Sequence, residues 1–470
     1  MIPLTLTEIA DATAGKLVNV TDSQLSIDSV CTDTRNIESG CLFIALQGDV
    51  FDAHQFLSEA QQCGAKALIA HHENSSTLPT VLVADTRIAL GMLSAYLKSK
   101  ISHLKCAAIT GSNGKTTTKE MLSAILNVHS QKPNSVLATA GNFNNDIGLP
   151  LTLLRLTKET EFAVVELGAN HLGEINYTVN LAKPDVALIN NVMPAHLEGF
   201  GSIEGVAKAK AEIWSGLTEK GTGVVNLDAD FSDIYIEQLT KQKSQLFTFS
   251  QYDTNASLFA ANIQFDDLGR ATFTLNYQQK IIQVSLNIAG KHNVSNALAA
   301  ASLAVVLGCD ITTVSQGLMH LNEVAGRVNS SQVTENIILI DDTYNANSAS
   351  LRAAIDLLEQ CQGVKTLIFA DMGELGKYSE QEHRTVGHYA AQKGIEHLLT
   401  VGTLTKFTNQ SFSELSQQNA LHFANKNALK GYLDSHLQKN NNQKSTILVK
   451  GSRGTKMEEI VAYIKQSKIG

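Results

Sequence analysis

Short apolar runs separated by longer amphipathic stretches set the rhythm of this chain. Up to about Leu104, runs at 42–46, 67–70 and 81–83 alternate with helix-like segments. This is the pattern of a small α/β unit whose buried strands read as continuous hydrophobic runs. From Lys105 the pattern sharpens: 106–110 predicts a buried strand, a Gly-rich turn follows, and 117–127 suits a helix. Further strands are predicted at 162–165, 186–189 and 224–226, spaced widely enough for crossover helices, which implies a mostly parallel sheet. An Ala-rich helix is predicted over 293–307, and a third set of runs follows at 337–340, 367–370, 398–401 and 447–449. Each of these ends in polar or Gly residues, as in an open α/β sheet whose strand C-terminal ends carry ligand loops. The expectation is therefore three α/β domains, spanning 1–104, 105–325 and 326–470, with Gly326-Arg327 as a hinge.

Composition narrows the class without changing this picture. Hydrophobic residues make up 43% and charged residues 17% of the 470 positions, enough to bury several cores. Lys plus Arg is 37 against Asp plus Glu 45, a net charge of −8, so the basic excess of a nucleic-acid binder is absent. The six cysteines are scattered without a C-x-x-C pair, which points away from zinc knuckles and disulfide frameworks and towards a reducing cytoplasm. The N-terminal residues lack a basic n-region, and the longest apolar stretch, 297–309, is too short to cross a bilayer, so neither a signal peptide nor a membrane span is expected.

The sharpest motif is Gly111-Ser112-Asn113-Gly114-Lys115-Thr116-Thr117, between a predicted strand and a predicted helix. Backbone N–H groups of such a turn cradle phosphate oxygens, Lys115 reaches the β/γ-phosphates, and the Thr116 hydroxyl is placed to ligate Mg²⁺. Ile109 stands where the strict phosphate-loop pattern has its first Gly. The strand 162–165 runs into Glu166, and a parallel sheet holds that carboxylate beside the nucleotide's metal, as the Mg²⁺ partner of Thr116. Taken alone, Glu166 would be a solvated strand end, and its position after the phosphate loop argues otherwise.

His196 lies in the loop after the third strand, followed by a helix-like segment that carries Lys208 and Lys210 on different faces, one of which is expected to turn inward. An amine there would repel a metal unless CO₂ converts it to an anionic carbamate. Asn293 and Asn296 share a helix face and suit either a flat heterocycle or a helix cap. In the third domain, three polar loops, at 341–347, 371–376 and 450–454, are expected to converge at one sheet edge. No G-x-G-x-x-G occurs, which leaves a dinucleotide cofactor unsupported.

Together these motifs resemble the Mur ligase family, the ATP-dependent amide-forming enzymes of peptidoglycan precursor synthesis. The shared marks are 111–117, Glu166, His196, the Lys210 segment, His292-Asn293 with Asn296, Gly326-Arg327 and 451–454, and they cover almost the whole chain. Asp33-Thr34-Arg35, Gly141-Asn142-Phe143-Asn144-Asn145-Asp146, Glu166-Leu167-Gly168-Ala169-Asn170, Asp342-Thr343-Tyr344-Asn345-Ala346-Asn347 and Asp371-Met372-Gly373-Glu374 look like the dipeptide-adding branch. Two departures stand out: Ser348 where such members often carry Pro, which is expected to loosen that turn, and Ser112 where many carry Thr.

The resemblance implies a domain for a uridine nucleotide, a central ATPase domain, and a C-terminal Rossmann-like domain. It implies ligation of D-alanyl-D-alanine to UDP-N-acetylmuramoyl-tripeptide through an acyl phosphate. It assigns Lys115, Thr116 and the rest of 111–117 to ATP, Thr116 and Glu166 to one Mg²⁺, and His196 with carbamylated Lys210 to a second. Asn293 and Asn296 would face the adenine, Arg327 the phosphates and Asp342 the ribose. Thr34, Arg35, Asn144 and Asn145 would meet the UDP-sugar, and Lys450, Ser452 and Arg453 the peptide substrates. Lys115, Lys210, His196 and Arg327 would carry the chemistry. The expected protein is a cytoplasmic monomer acting on small molecules. The rivals are a sibling ligase adding one amino acid, a folylpolyglutamate synthase, a nucleotide switch and a cell-wall binding protein. A GTPase switch would need an Asn-Lys-x-Asp loop, and Asn425-Lys426-Asn427 is followed by Ala428.

Overall fold

A computed structural model describes residues 1–48, 50–72, 76–194, 197–266, 268–321, 326–440 and 443–466. Its architecture is α/β throughout, built around three large sheets and a two-stranded ribbon that pairs Leu4–Thr5 with Ser26–Ile27. The first large sheet has five strands, in the order Lys16–Val18, Thr80–Leu82, Ala67–Ala70, Leu42–Ile44, Val30–Cys31. All neighbours are parallel except the first pair.

The second sheet has nine strands. Lys105–Thr110 lies between Val186–Ile189 on one side and Phe162–Glu166 on the other, all parallel. Strand order reverses around Lys105–Thr110, and the crevice beyond the carboxyl ends at such a point is where these sheets bind ligands. Register aligns those ends, pairing Glu166 with Ile109 and Ile189 with Thr110. The far half of this sheet departs from the sequence reading. Leu258–Phe265, Arg270–Tyr277 and Lys280–Ala289 form an antiparallel meander added to the parallel half. These strands have one wetter face, so they alternate in polarity and lack the solid apolar runs that mark their parallel neighbours.

Helices Lys115–Ser130, His292–Val306 and Ile311–Met319 cover one face of this sheet. Met121, Leu122, Ile125 and Leu126 recur at helical spacing and pack with Val294, Leu298, Leu303 and Val314, all fully buried. On the other face, Leu90, Leu93 and Leu97 of helix Thr86–Ser99 share one core with Leu149, Leu153, Ile175 and Val179. The first and second sheets are thus joined by a continuous apolar cluster. Truncating one of these leucines to Ala is worth about 2–5 kcal/mol.

The third sheet orders six strands as Asn329–Thr334, Ile337–Asp342, Ser445–Lys450, Val364–Ala370, His397–Val401 and Asn419–Phe423. Only the first is antiparallel. The ends of Ile337–Asp342, Ser445–Lys450 and Val364–Ala370 are in register, so the three polar loops predicted to converge do so.

Candidate active site

The phosphate loop opens at Gly111 and closes at Gly114, the residue before helix Lys115–Ser130. Gly114 has φ +76°, and a Cβ there would sit 2.3 Å from Asn296 Oδ1 and 2.5 Å from Asn190 Nδ2, so both conformation and space require glycine. No side chain caps this helix, which leaves its first backbone N–H groups and the positive end of its dipole facing the loop. Lys115 Nζ folds over the loop and donates to the carbonyl of Gly111 at 2.7 Å. Desolvation pushes its pKa below the ordinary lysine value, with Glu166 opposing and Arg327 adding to the shift.

Thr116 is the centre of the cluster. Its hydroxyl donates to Glu166 Oε2 at 2.8 Å and accepts from Arg327 Nη2 at 2.9 Å. Glu166, 3% exposed, is steadied on its other oxygen by Asn144 Nδ2 at 3.0 Å. Two hard oxygens separated by 2.8 Å match adjacent corners of a Mg²⁺ octahedron, whose bonds of about 2.0–2.1 Å set neighbours about 3 Å apart. The donor set therefore fits Mg²⁺. Arg327 arrives from the start of the third-sheet segment, with its guanidinium 4.1 Å from the Tyr344 ring centre and Nε buried without a hydrogen-bond partner. Such a planar donor is suited to a bidentate oxyanion.

Other predicted residues take roles that sequence did not distinguish. Asn296 Oδ1 accepts from Asn190 Nδ2 at 2.9 Å, and Asn296 Nδ2 donates to Asn293 Oδ1 at 2.9 Å. Asn293 Nδ2 in turn donates to the carbonyl of Ala289 at 2.6 Å. These buried amides buttress the loop from behind. Asn190, missed by sequence reasoning, also donates to the Asn113 carbonyl at 2.9 Å, while Asn191 Oδ1 accepts from Asn113 N at 2.9 Å. The signal was available: two amides directly after a parallel strand beside the phosphate loop. Ser112 exchanges hydrogen bonds with the backbone of Met193, and Thr117 is buried in the first helical turn.

Lys210 is the lysine that turns inward, 3% exposed, whereas Lys208 faces solvent. Burial holds its pKa well below the lysine range, and the charge of Lys115 pushes the same way. That shift favours the free amine, the form of a lysine that adds to CO₂. His196 lies outside the described residues.

Asp342 and Lys450, at paired positions of parallel strands, form a buried ion pair at 2.5 Å, with Lys450 Nζ also donating to the carbonyl of Asn345 at 3.0 Å. Asp342, the residue expected at a ribose, thus has one carboxylate oxygen paired with Lys450. Ser452 is tied to the carbonyl of Asp371 at 2.7 Å, while Arg453 is mostly exposed, 5.7 Å from the Tyr344 ring centre. Asn145 Oδ1 accepts from Gly148 N at 2.8 Å, which makes it a turn residue at the start of helix Gly148–Leu153. Thr34 and Arg35 occupy the short helical turn Thr34–Asn36, where Arg35 holds the Asp33 carboxyl down at about 2. Ser348 does not loosen its turn: Asn347 and Ser350 form a capping box, and the Ser348 hydroxyl bonds Glu382.

Comparison with known proteins accounts for this assembly. Residues 109–304 match the Mur ligase middle domain, and 326–453 match the Mur ligase glutamate ligase domain. The chain is 43% identical over 470 residues to the UDP-N-acetylmuramoyl-tripeptide–D-alanyl-D-alanine ligase of Haemophilus influenzae, across 99% of both chains. The same ligase of Escherichia coli is 43% identical over 467 residues, again across 99% of both. Among solved structures, MurF from Acinetobacter baumannii superposes with a TM-score of 0.91 at 37% identity over 99% of both chains. MurF from Thermotoga maritima in complex with ADP gives 0.80 at 25% identity, covering 93% of this chain and 97% of the other. On the phosphate loop, the carboxylate beside it, the arginine reaching across from the third sheet and this full-length kinship, the chain belongs to the Mur ligase family.

Proposed function

We propose that this protein is the ATP-dependent ligase that joins D-alanyl-D-alanine to UDP-N-acetylmuramoyl-tripeptide, giving the pentapeptide precursor of peptidoglycan with ADP and phosphate. The observation that carries the reading is Thr116 held between Glu166 of the second sheet and Arg327 of the third, which builds a phosphoryl-transfer site from both. Kinship carries the choice of substrate, because it extends through residues 1–104, outside the two matched family domains. We take 1–104, 105–325 and 326–470 as three domains.

The loop amides and the helix N-terminus bind the phosphates. Thr116 and Glu166 would hold Mg²⁺, which would supply charge neutralisation for the phosphates. Lys115 and Arg327 balance the negative charge that spreads over the transferred group as the tripeptide's terminal carboxylate attacks the γ-phosphorus. ADP leaves, and the mixed anhydride stays between the second and third sheets, shielded from water. The free amine of the dipeptide then attacks its carbonyl carbon, and phosphate departs as the amide forms. Lys210 as a carbamate, together with His196, would support a second Mg²⁺, which its depressed pKa favours because only the free amine adds to CO₂. Thr34, Arg35, Asn144 and Asn145 would approach the UDP-sugar, and Lys450, Ser452 and Arg453 the peptides. We assign the enzyme to the cytoplasm, as a monomer; among the described residues no helix is long and apolar enough to cross a membrane.

The test supplies Mg²⁺-ATP and UDP-N-acetylmuramoyl-tripeptide with either the dipeptide or single amino acids. A product heavier by the dipeptide less one water, formed with the dipeptide alone, is expected. Product from a single amino acid would instead make this a sibling ligase.

A further inference from the structure

Three histidines stand side by side on the five-stranded sheet, and the ligase chemistry uses none of them. His71 and His72 directly follow strand Ala67–Ala70, and His54 sits on the short helical turn Ala53–Phe56. Ring centres are 4.0 Å apart for His54 and His71, 4.5 Å for His54 and His72, and 4.9 Å for His71 and His72. Each ring offers a nitrogen, and the three nitrogens all lie within 4.8 Å of one another.

His54 is held in the manner of a metal ligand. It is 8% exposed, and its Nδ1 lies 2.6 Å from Asp52 Oδ1, which also accepts from His54 N at 3.0 Å. Donating Nδ1–H to a carboxylate leaves Nε2 with the lone pair and fixes the ring plane, the usual outer support of a metal-bound imidazole. That lone pair accepts the backbone N–H of His71 at 3.2 Å, a long bond that a stronger Lewis acid would replace.

We propose that His54, His71 and His72 form a site for a borderline divalent cation of the Zn²⁺ class, with Asp52 orienting His54 and the remaining coordination position open to water. The chemistry of the donors sets the class. Three imidazoles suit Zn²⁺, Ni²⁺ or Cu²⁺, whereas Mg²⁺ takes oxygen, so this site does not compete with Thr116 and Glu166 for their ion. Zn–N bonds of about 2.0–2.1 Å place ligand nitrogens about 3.4 Å apart. Drawing the three together takes about 1 Å, which the half-buried His71 and exposed His72 rings can supply by rotamer adjustment. A bound ion would pin the segment around Asp52 to the end of strand Ala67–Ala70, on the sheet proposed to meet the uridine nucleotide.

The experiment uses the full chain without an affinity tag, stripped with a chelator and titrated with Zn²⁺ and with Co²⁺ in excess Mg²⁺. One saturable site is expected, with visible Co²⁺ bands of low-coordinate nitrogen ligation and no thiolate charge-transfer band. His72→Gln should weaken binding about 10–100-fold, and His71→Gln/His72→Gln should abolish it. Both should leave Mg²⁺-dependent ligation in zinc-free buffer unchanged, which also shows that the variants fold. Zn²⁺ should raise the melting temperature of the wild type and leave that of the double variant unmoved. Absence of saturable binding, or equal affinity in the wild type and the double variant, overturns the proposal.

Discussion

Asn347 Nδ2 donates to Asn113 Oδ1 at 2.8 Å, joining the start of a third-sheet helix to the middle of the phosphate loop. The same side chain caps helix Ser348–Gln360 through Oδ1, which accepts from Ser350 N at 2.8 Å. One amide therefore fixes where that helix begins and where the loop sits beneath it. Asn347→Asp keeps the cap and deletes the donor. The expected result is a melting temperature within a few degrees of wild type and kcat/KM for ATP down about 5–10-fold, the loss of about 1–1.4 kcal/mol for one hydrogen bond. Asn347→Ala should lose a further 1 kcal/mol or so of stability with the cap. A double-mutant cycle with Asn113→Ala should be non-additive; strict additivity would show that the two amides do not communicate.

Gly114→Ala should remove nucleotide binding with little change in secondary structure. The added methyl meets Asn296 and Asn190 while the backbone is held at φ +76°. A shift of the loop by a fraction of an ångström misplaces Lys115 and Thr116 together, so ligation should fall at least about 100-fold, as it should for Lys115→Ala. Isothermal titration with a non-hydrolysable ATP analogue checks this, and wild-type affinity would contradict it.

Lys210→Ala is expected to be about 10–100-fold less active, and acetate or another short carboxylic acid should restore part of the rate by standing in for the carbamate. Full activity without rescue would remove the carbamate from the account.

The same lysine should mark the pH dependence of stability. Its folded pKa lies well below 10.5 because of burial. Between the two values the unfolded chain binds one proton more than the folded chain, so stability rises with pH through that window and is flat below it. Lys210→Met should therefore be more stable than wild type at pH 7 in CO₂-free buffer. The gap should narrow towards pH 9 by up to about 1.4 kcal/mol per unit, read from urea midpoints. A gap independent of pH would mean that the amine is charged in the folded state.

Asp342 and Lys450 predict a stability effect. Lys450→Met leaves a buried carboxylate unpaired and should cost about 3–5 kcal/mol, and adding Asp342→Asn should recover much of it. Thermal unfolding of the single and double variants distinguishes this from a purely ligand-binding role, which would leave stability unmoved.

Much of the site could be read from sequence because its signals are local. The loop 111–117 needs only a strand before it and a helix after it, and Glu166 is fixed by the end of a solid apolar run. The antiparallel meander from Leu258 to Ala289 was not legible, since half-wet strands alternate in polarity and mimic loops between helices. The partners of Asn296, Asp342 and Asn347 were also hidden. Their residue types suit ligand contacts and internal buttresses equally, and the groups that bond them lie 106, 108 and 234 positions away in the chain.

The most direct test of the central claim follows oxygen. UDP-N-acetylmuramoyl-tripeptide carrying ¹⁸O in its terminal carboxylate is incubated with the enzyme, Mg²⁺-ATP and D-alanyl-D-alanine, and the released phosphate is analysed by mass. Activation of the carboxylate by the γ-phosphate at Lys115, Thr116 and Arg327 predicts one ¹⁸O in each phosphate and release that depends on both peptide substrates. Phosphate free of label, or released at the same rate without the peptides, would contradict it.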